Sequence, residues 1–296
     1  MSVIEIKNLT KDYGDNKGIF NISFSVNKGE VLGFLGPNGA GKTTTIRHLM
    51  GFSKAHEGSC SINGLSCFDN SSEIQRKLGY LPGEIAFLDD MSGIKFIEFV
   101  AEMKGIKNLS RAKELIERFD LNPNGKIKKM SKGMKHKIGI VCAFMQDPDI
   151  LILDEPTSGL DPLMQNEFIK LIAEEKEKGK TILMSSHSFE EIEKTCDRAA
   201  IIKEGKIVAV ENIVTLKESK QKLYNITFEN SNMVRDFINE GFKVKEVHGN
   251  NVTIVIKGDI MPLIKTLGKY KVMSFESYSQ SLEDLFMHFY GGENND

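Results

Sequence analysis

Leu35–Thr44 reads LGPNGAGKTT. The apolar run Val31–Leu35 precedes it, and KTTTIRHLM follows the loop as far as Gly51. The run predicts a strand, and the segment after it a helix that stops at Gly51. Gly36, Gly41, Lys42 and Thr43 have the spacing of a phosphate loop, G-x-x-x-x-G-K-S/T. Glycine lets the backbone turn its N–H groups inward around an anion. The helix that starts at Lys42 aims its positive end at the same point. Lys42 is expected to reach the β- and γ-phosphates of a nucleotide and Thr43 to ligate Mg²⁺, with Asn38, Gly39, Ala40 and Thr44 completing the cradle.

Three further stretches are expected to meet this loop. In ILILDEP (Ile150–Pro156) an apolar strand ends in two adjacent acids, Asp154 and Glu155. Such acids stand where parallel sheets bind ligands, at the carboxyl ends of the strands. One can hold Mg²⁺ and the other polarise an attacking water. TILMSSH (Thr181–His187) is a second strand, and it brings His187 to the same edge, within reach of a γ-phosphate. MSKGM (Met130–Met134) opens a helix with Ser131 as a natural cap. Ser131 and Gly133 form an anion site at that helix's N-terminus. The chain already has one phosphate loop, so this second site is expected to serve a nucleotide held by another copy. His48, His56, His136, His248 and His288 have no comparable setting.

Composition bounds the function. The 296 residues carry a net charge of −2, with 40% hydrophobic and 27% charged residues. No global basic field invites nucleic acid. The longest apolar stretch, around Ile138–Met145, is far short of the roughly 18–20 residues that span a bilayer. MSVIEIKNLT has neither a basic nor an apolar leader region. Cys60, Cys67, Cys142 and Cys196 lack metal spacing and are expected as free thiols.

Strands are expected at Val3–Ile6, Phe20–Val26 and Val31–Leu35, and helical periodicity from about Ser71 to Phe144. The strand Ile150–Leu153, a helix ending at Gly179 and the strand TILMSSH follow, an order that implies a mostly parallel sheet with helices on its faces. Beyond Lys217 the texture changes. LYNITFE, SNMVRDFINEG, FKVKEV, NVTIVIK, IMPLIKTLG and KVMSFESY predict a βαββαβ, ferredoxin-like order, closed by an amphipathic helix in SLEDLFMHFY. The expected division is 1–217 and 218–296, with a helical subdomain at about 84–145.

The order GPNGAGKTT, MSKGM, LILDEP, SGLD, SSH resembles the nucleotide-binding subunit of ATP-binding-cassette (ABC) transporters over about residues 2–215. SKGM, SGLDP and SLEDLFMHFY resemble the ABC-2 export branch. The resemblance implies a P-loop ATPase with ATP and Mg²⁺, Glu155 and His187 as catalytic residues, and Thr43 and Asp154 at the metal. It implies that Tyr13 of KDYG stacks on adenine. It also implies that Ser131 and Gly133 bind the γ-phosphate of a second copy or a paralogue in a sandwich dimer. An ABC-2 permease would be the membrane partner. The protein would then lie on the inner face of the cell membrane and export a drug, antibiotic, peptide or ion. Rival members of the superfamily are disfavoured. Ribosome-acting ones carry two cassettes, and DNA-repair ones have long coiled coils. A non-enzymatic nucleotide sensor would not need Glu155 and His187.

Two positions depart from the family pattern. Lys132 replaces the first glycine of LSGGQ, with Met134 at its glutamine; the lysine could add attraction for the γ-phosphate, and the favoured expectation is that it faces solvent. Gly83 stands where the family has a glutamine, with Glu84 next.

Overall fold

The computed structural model describes residues 1–88, 90–219, 222–256 and 259–279. The tail helix expected at 281–290 lies outside them. The chain divides into two compact units, Met1–Ile213 and Val214–Asp296.

The first unit holds two sheets. One is antiparallel, built from β1 (Ser2–Asp12), β2 (Gly18–Asn27), β4 (Glu57–Ile62) and the short β5 (Leu65–Ser66), in the order β2-β1-β4-β5. The other has six strands: β3 (Val31–Leu35), β6 (Leu78–Leu81), β7 (Ile150–Asp154), β8 (Thr181–Ser186), β9 (Arg198–Lys203) and β10 (Lys206–Asn212). Its order is β10-β9-β3-β8-β7-β6, parallel except for β10. Every residue of β3, β7 and β8 is buried. That explains their unbroken apolar runs, since a parallel sheet is covered on both faces. Each buried Leu or Ile contributes about 1.5–3 kcal/mol.

Helices α1 (Lys42–Leu49) and α2 (Ser71–Lys77) follow β3 and precede β6. The sequence reading placed residues 71–144 in one helical region. The structure corrects this: Leu78–Leu81 pairs in parallel with Leu153 and its neighbours as the edge strand β6. The helical subdomain proper consists of α3 (Gly93–Met103), α4 (Ser110–Arg118) and α5 (Lys132–Phe144), with α5 packed on the other two. The return segment supplies α6 (Pro162–Glu177) and α7 (Phe189–Thr195). Asp161 caps α6 by accepting the Met164 N–H at 3.0 Å, with Pro162 in the first turn. Arg111 and Arg118 of α4 pair with Glu175 and Glu174 of α6 at 2.7 and 2.6 Å, so charge fastens the subdomain to α6.

After α8 (Ile213–Ser219) the second unit runs β11 (Lys222–Phe228), α9 (Ser231–Ile238), β12 (Lys243–His248), β13 (Asn251–Ile256), α10 (Met261–Leu267) and β14 (Val272–Ser279). Its sheet is antiparallel in the order β12-β13-β11-β14, the ferredoxin-like topology. Ile226, Phe228, Phe237, Ile254 and Leu263 form its own core. Among the described residues, no helix is long and apolar enough to cross a membrane.

Candidate nucleotide site

Strands β3, β8 and β7 are neighbours, so the segments leaving their carboxyl ends are neighbours too. They are the phosphate loop, His187 and the Asp154–Glu155 pair. Gly39 and Gly41 have φ of +80° and +110°, a backbone that only glycine adopts freely. A Cβ at Gly41 would stand 2.6 Å from Ile19, so packing excludes a side chain as well.

Lys42 is buried at the head of α1. Its ammonium donates to the carbonyls of Gly36 at 2.7 Å and Pro37 at 3.2 Å, and lies 3.1 Å from Glu155 Oε1. It therefore spans the loop's mouth from the loop to the acid. Thr43 Oγ1 donates to Asp154 Oδ2 at 2.8 Å. Asp154 is 1% exposed, and its other oxygen accepts from Ser185 Oγ at 2.5 Å.

Glu155 differs from its neighbour. Its φ is +49°, rare for a residue with a side chain, and its N–H is held by Ser185 Oγ at 2.9 Å. The turn sends the two carboxylates to different partners. Glu155 Oε2 accepts from His187 Nδ1 at 2.7 Å, while Oε1 has only the ammonium of Lys42 nearby, outside hydrogen-bond alignment. Because a carboxylate only accepts, the His187 proton is on Nδ1. His187 is largely exposed, open to a ligand on its other side.

Tyr13 is 59% exposed beside the antiparallel sheet, with the Lys11 ammonium 5.8 Å from its ring centre. Lys11 also meets His56 Nε2 at 3.0 Å. Ser131 caps α5 by accepting the Met134 N–H at 3.2 Å, and is itself exposed. Gly133 packs on the segment after Glu155: a Cβ there would be 2.7 Å from Gly159 O. Lys132 is exposed, as expected. Its stem lies along Gly159 and its ammonium donates to Ser158 Oγ at 3.3 Å. Gly83 lies beside Asp154, its Cβ position 3.3 Å from Asp154 Oδ2, while Glu84 is exposed.

Two residues unsingled by sequence belong to the surroundings. Buried His136 donates from Nε2 to Pro156 O at 2.7 Å, and burial lowers its pKa, keeping it neutral. Glu191 of α7 accepts from Ser186 Oγ. A histidine five residues after a helix cap was the signal for the first; for Glu191 the sequence offers none.

Residues 19–158 match the protein family described as "ABC transporter". The chain is 34% identical to the bacitracin transport ATP-binding protein BcrA of Bacillus licheniformis, over 98% of each. It is also 34% identical to the uncharacterized ABC transporter ATP-binding protein MJ1023 of Methanocaldococcus jannaschii, over 96% of this chain and 98% of that one. A solved structure described as the ATP binding subunit of an ABC transporter is similar at a TM-score of 0.67 and 31% identity. It covers 73% of this chain and 92% of its own.

Proposed function

The chain belongs to the ABC transporter family as an ATP-binding, ATP-hydrolysing subunit, and we propose that two copies close on two ATP molecules to drive a separate ABC-2 permease. The observation that carries this reading is the convergence of Lys42, Thr43, Asp154, Glu155 and His187 within hydrogen-bond distances at one sheet edge.

Lys42 rests on its own loop and on Glu155. The terminal phosphates of ATP offer the ammonium more charge than two carbonyls and one carboxylate. As Lys42 turns to phosphate, Glu155 loses its cation and becomes free to accept a proton from water, with His187 holding its other oxygen. The water oxygen bonds to the γ-phosphorus, its proton passes to Glu155, and the bond to ADP breaks. Thr43 and Asp154 fit Mg²⁺, since two hard oxygen donors converge within 2.8 Å and one is a buried carboxylate. When bound, the ion offsets the phosphate charge. Tyr13, exposed and apolar-faced, is the platform for adenine.

Helix α5 has no acidic residue in its first turn, so its positive end suits an anion brought from outside the chain. That anion is the γ-phosphate on a second copy, met by Ser131 and Gly133. Cargo passes through the permease at the inner face of the membrane. Export of an antibiotic-like compound is supported by the similarity to BcrA along nearly the whole of both chains.

Mixing two defective chains tests the shared site. Ser131→Arg should leave ATP binding in the single chain nearly intact and abolish turnover; Lys42→Ala should abolish ATP binding. A mixed dimer contains one intact site and one doubly broken site, so turnover should return in the mixture. No recovery on mixing, together with normal turnover by Ser131→Arg alone, would show that each chain carries a complete site.

A further inference from the structure

Glu191 lies on α7, four residues after His187, and is 7% exposed. Its Oε2 accepts from Ser186 Oγ at 2.5 Å. The same hydroxyl accepts the Ser188 N–H at 2.9 Å, and the N–H of Glu191 donates to Ser188 Oγ at 3.3 Å. Both chain neighbours of His187 thus belong to one network centred on this carboxyl. Its other oxygen is buried without an aligned hydrogen bond, and the Thr157 hydroxyl, two residues past Glu155, interacts with the carboxyl. The carboxyl therefore backs both members of the Glu155–His187 pair.

Resting on the ATPase reading of the site, we propose that Glu191 is a positioning residue. It fixes the backbone on both sides of His187 and abuts the segment after Glu155, so the imidazole meets the Glu155 carboxylate in one orientation. Ser186 is fully buried, and its hydroxyl needs an acceptor there; an aliphatic side chain at 191 would leave it without one. Burial raises the Glu191 carboxyl to about 7. The Ser186 hydrogen bond and the nearby Thr157 hydroxyl oppose this, the Glu155 charge adds to it, and His187 lowers it. On its own helix, Glu190 and Lys194 pair with each other at 2.6 Å, and Cys196 lies within reach of its charge. The residue thus changes charge near neutrality directly behind the reacting pair. Glutamine reproduces its neutral form in size and in accepting power.

The test compares the full chain with Glu191→Gln and Glu191→Ala, each checked first for cooperative thermal unfolding. Glu191→Met replaces the alanine variant if that one fails to fold. Nitrogen NMR of His187, assigned by its absence from His187→Ala, reports which ring nitrogen carries the proton when the ring is neutral. Wild type and Glu191→Gln should hold it on Nδ1, and Glu191→Ala should show a mixture weighted to Nε2. In ATP turnover, Glu191→Ala should lose about tenfold or more in kcat at unchanged KM, as a misoriented group does. Glu191→Gln should stay within about threefold and lack the change in kcat expected of wild type near pH 7. Identical His187 spectra in all chains overturn the proposal, and so does wild-type kcat in Glu191→Ala. Failure of the wild-type chain to hydrolyse ATP would sink the ATPase reading, and the ring spectra would still decide the role of Glu191.

Discussion

Asp154 and Glu155 are adjacent in sequence and opposite in setting. Asp154 is sealed between Thr43 and Ser185, whereas Glu155 lies between Lys42 and His187 with one oxygen left without an aligned donor. Only the second is placed to take a proton. Glu155→Gln keeps the shape and removes the base, so ATP should still bind while turnover falls by roughly 10²-fold or more. Radiolabelled phosphate release beside calorimetric ATP binding checks both halves, and wild-type release would hand the proton to another group. A second expectation concerns pH. Glu191 is raised from 4.5 to about 7 in the folded chain. Below about pH 4.5 the carboxyl is neutral in both states, and its contribution to stability is complete. Between there and about pH 7 the unfolded chain loses the proton and the folded one keeps it, so stability drains away. Glu191→Gln cannot ionise. Its stability relative to wild type should therefore rise across that window, by on the order of 3 kcal/mol, and stay level above it. Denaturant midpoints measured from pH 4 to 8 in steps (roughly one unit each) read this directly, and parallel curves would refute it.

At the scale of elements, the first turn of α5 and the segment after β7 act as one piece. His136 bonds Pro156 O, Lys132 bonds Ser158, and Gly133 touches Gly159. A change felt at Ser131 thus has a direct route to Glu155 through packed backbone. Gly133→Ala puts a Cβ 2.7 Å from a carbonyl oxygen that no side-chain rotation can relieve. Turnover should drop about tenfold while single-chain ATP affinity changes little, because a shift of this size misplaces reacting groups. Equal turnover in Gly133→Ala would mean the two elements move independently. Sequence periodicity recovers the long helices and the buried strands β3, β7 and β8 but not β6, β9 or β10. Four residues, LGYL, are too few for a period to register between helical stretches, and only their pairing with β7 makes them a strand.

At the scale of the molecule, each unit has a core of its own among the described residues. The larger runs through Phe34, Ile46, Ile152 and Leu183, and the smaller is closed around Phe228 and Phe237. Each buries its own apolar face, which is the condition for folding alone. A chain ending at Lys217 should fold and bind ATP within about threefold of the full chain, as calorimetry on both would show. An unfolded product would tie the first unit's stability to the second. What the sequence determined by itself were features set by neighbouring residues. These are the glycine backbone of the phosphate loop, the cap at Ser131, the continuous apolar strands, and the βαββαβ order of the second unit. Their physical basis is local: φ/ψ freedom, capping hydrogen bonds and side-chain period act within a few positions. The tertiary structure alone decided which of those pieces touch. Thr43 meets Asp154 across 111 residues, Glu155 meets His187 across 32, and Glu191 sits behind them. Those meetings follow from the strand order β3-β8-β7, and strand order is settled by how whole faces pack, which no short stretch encodes.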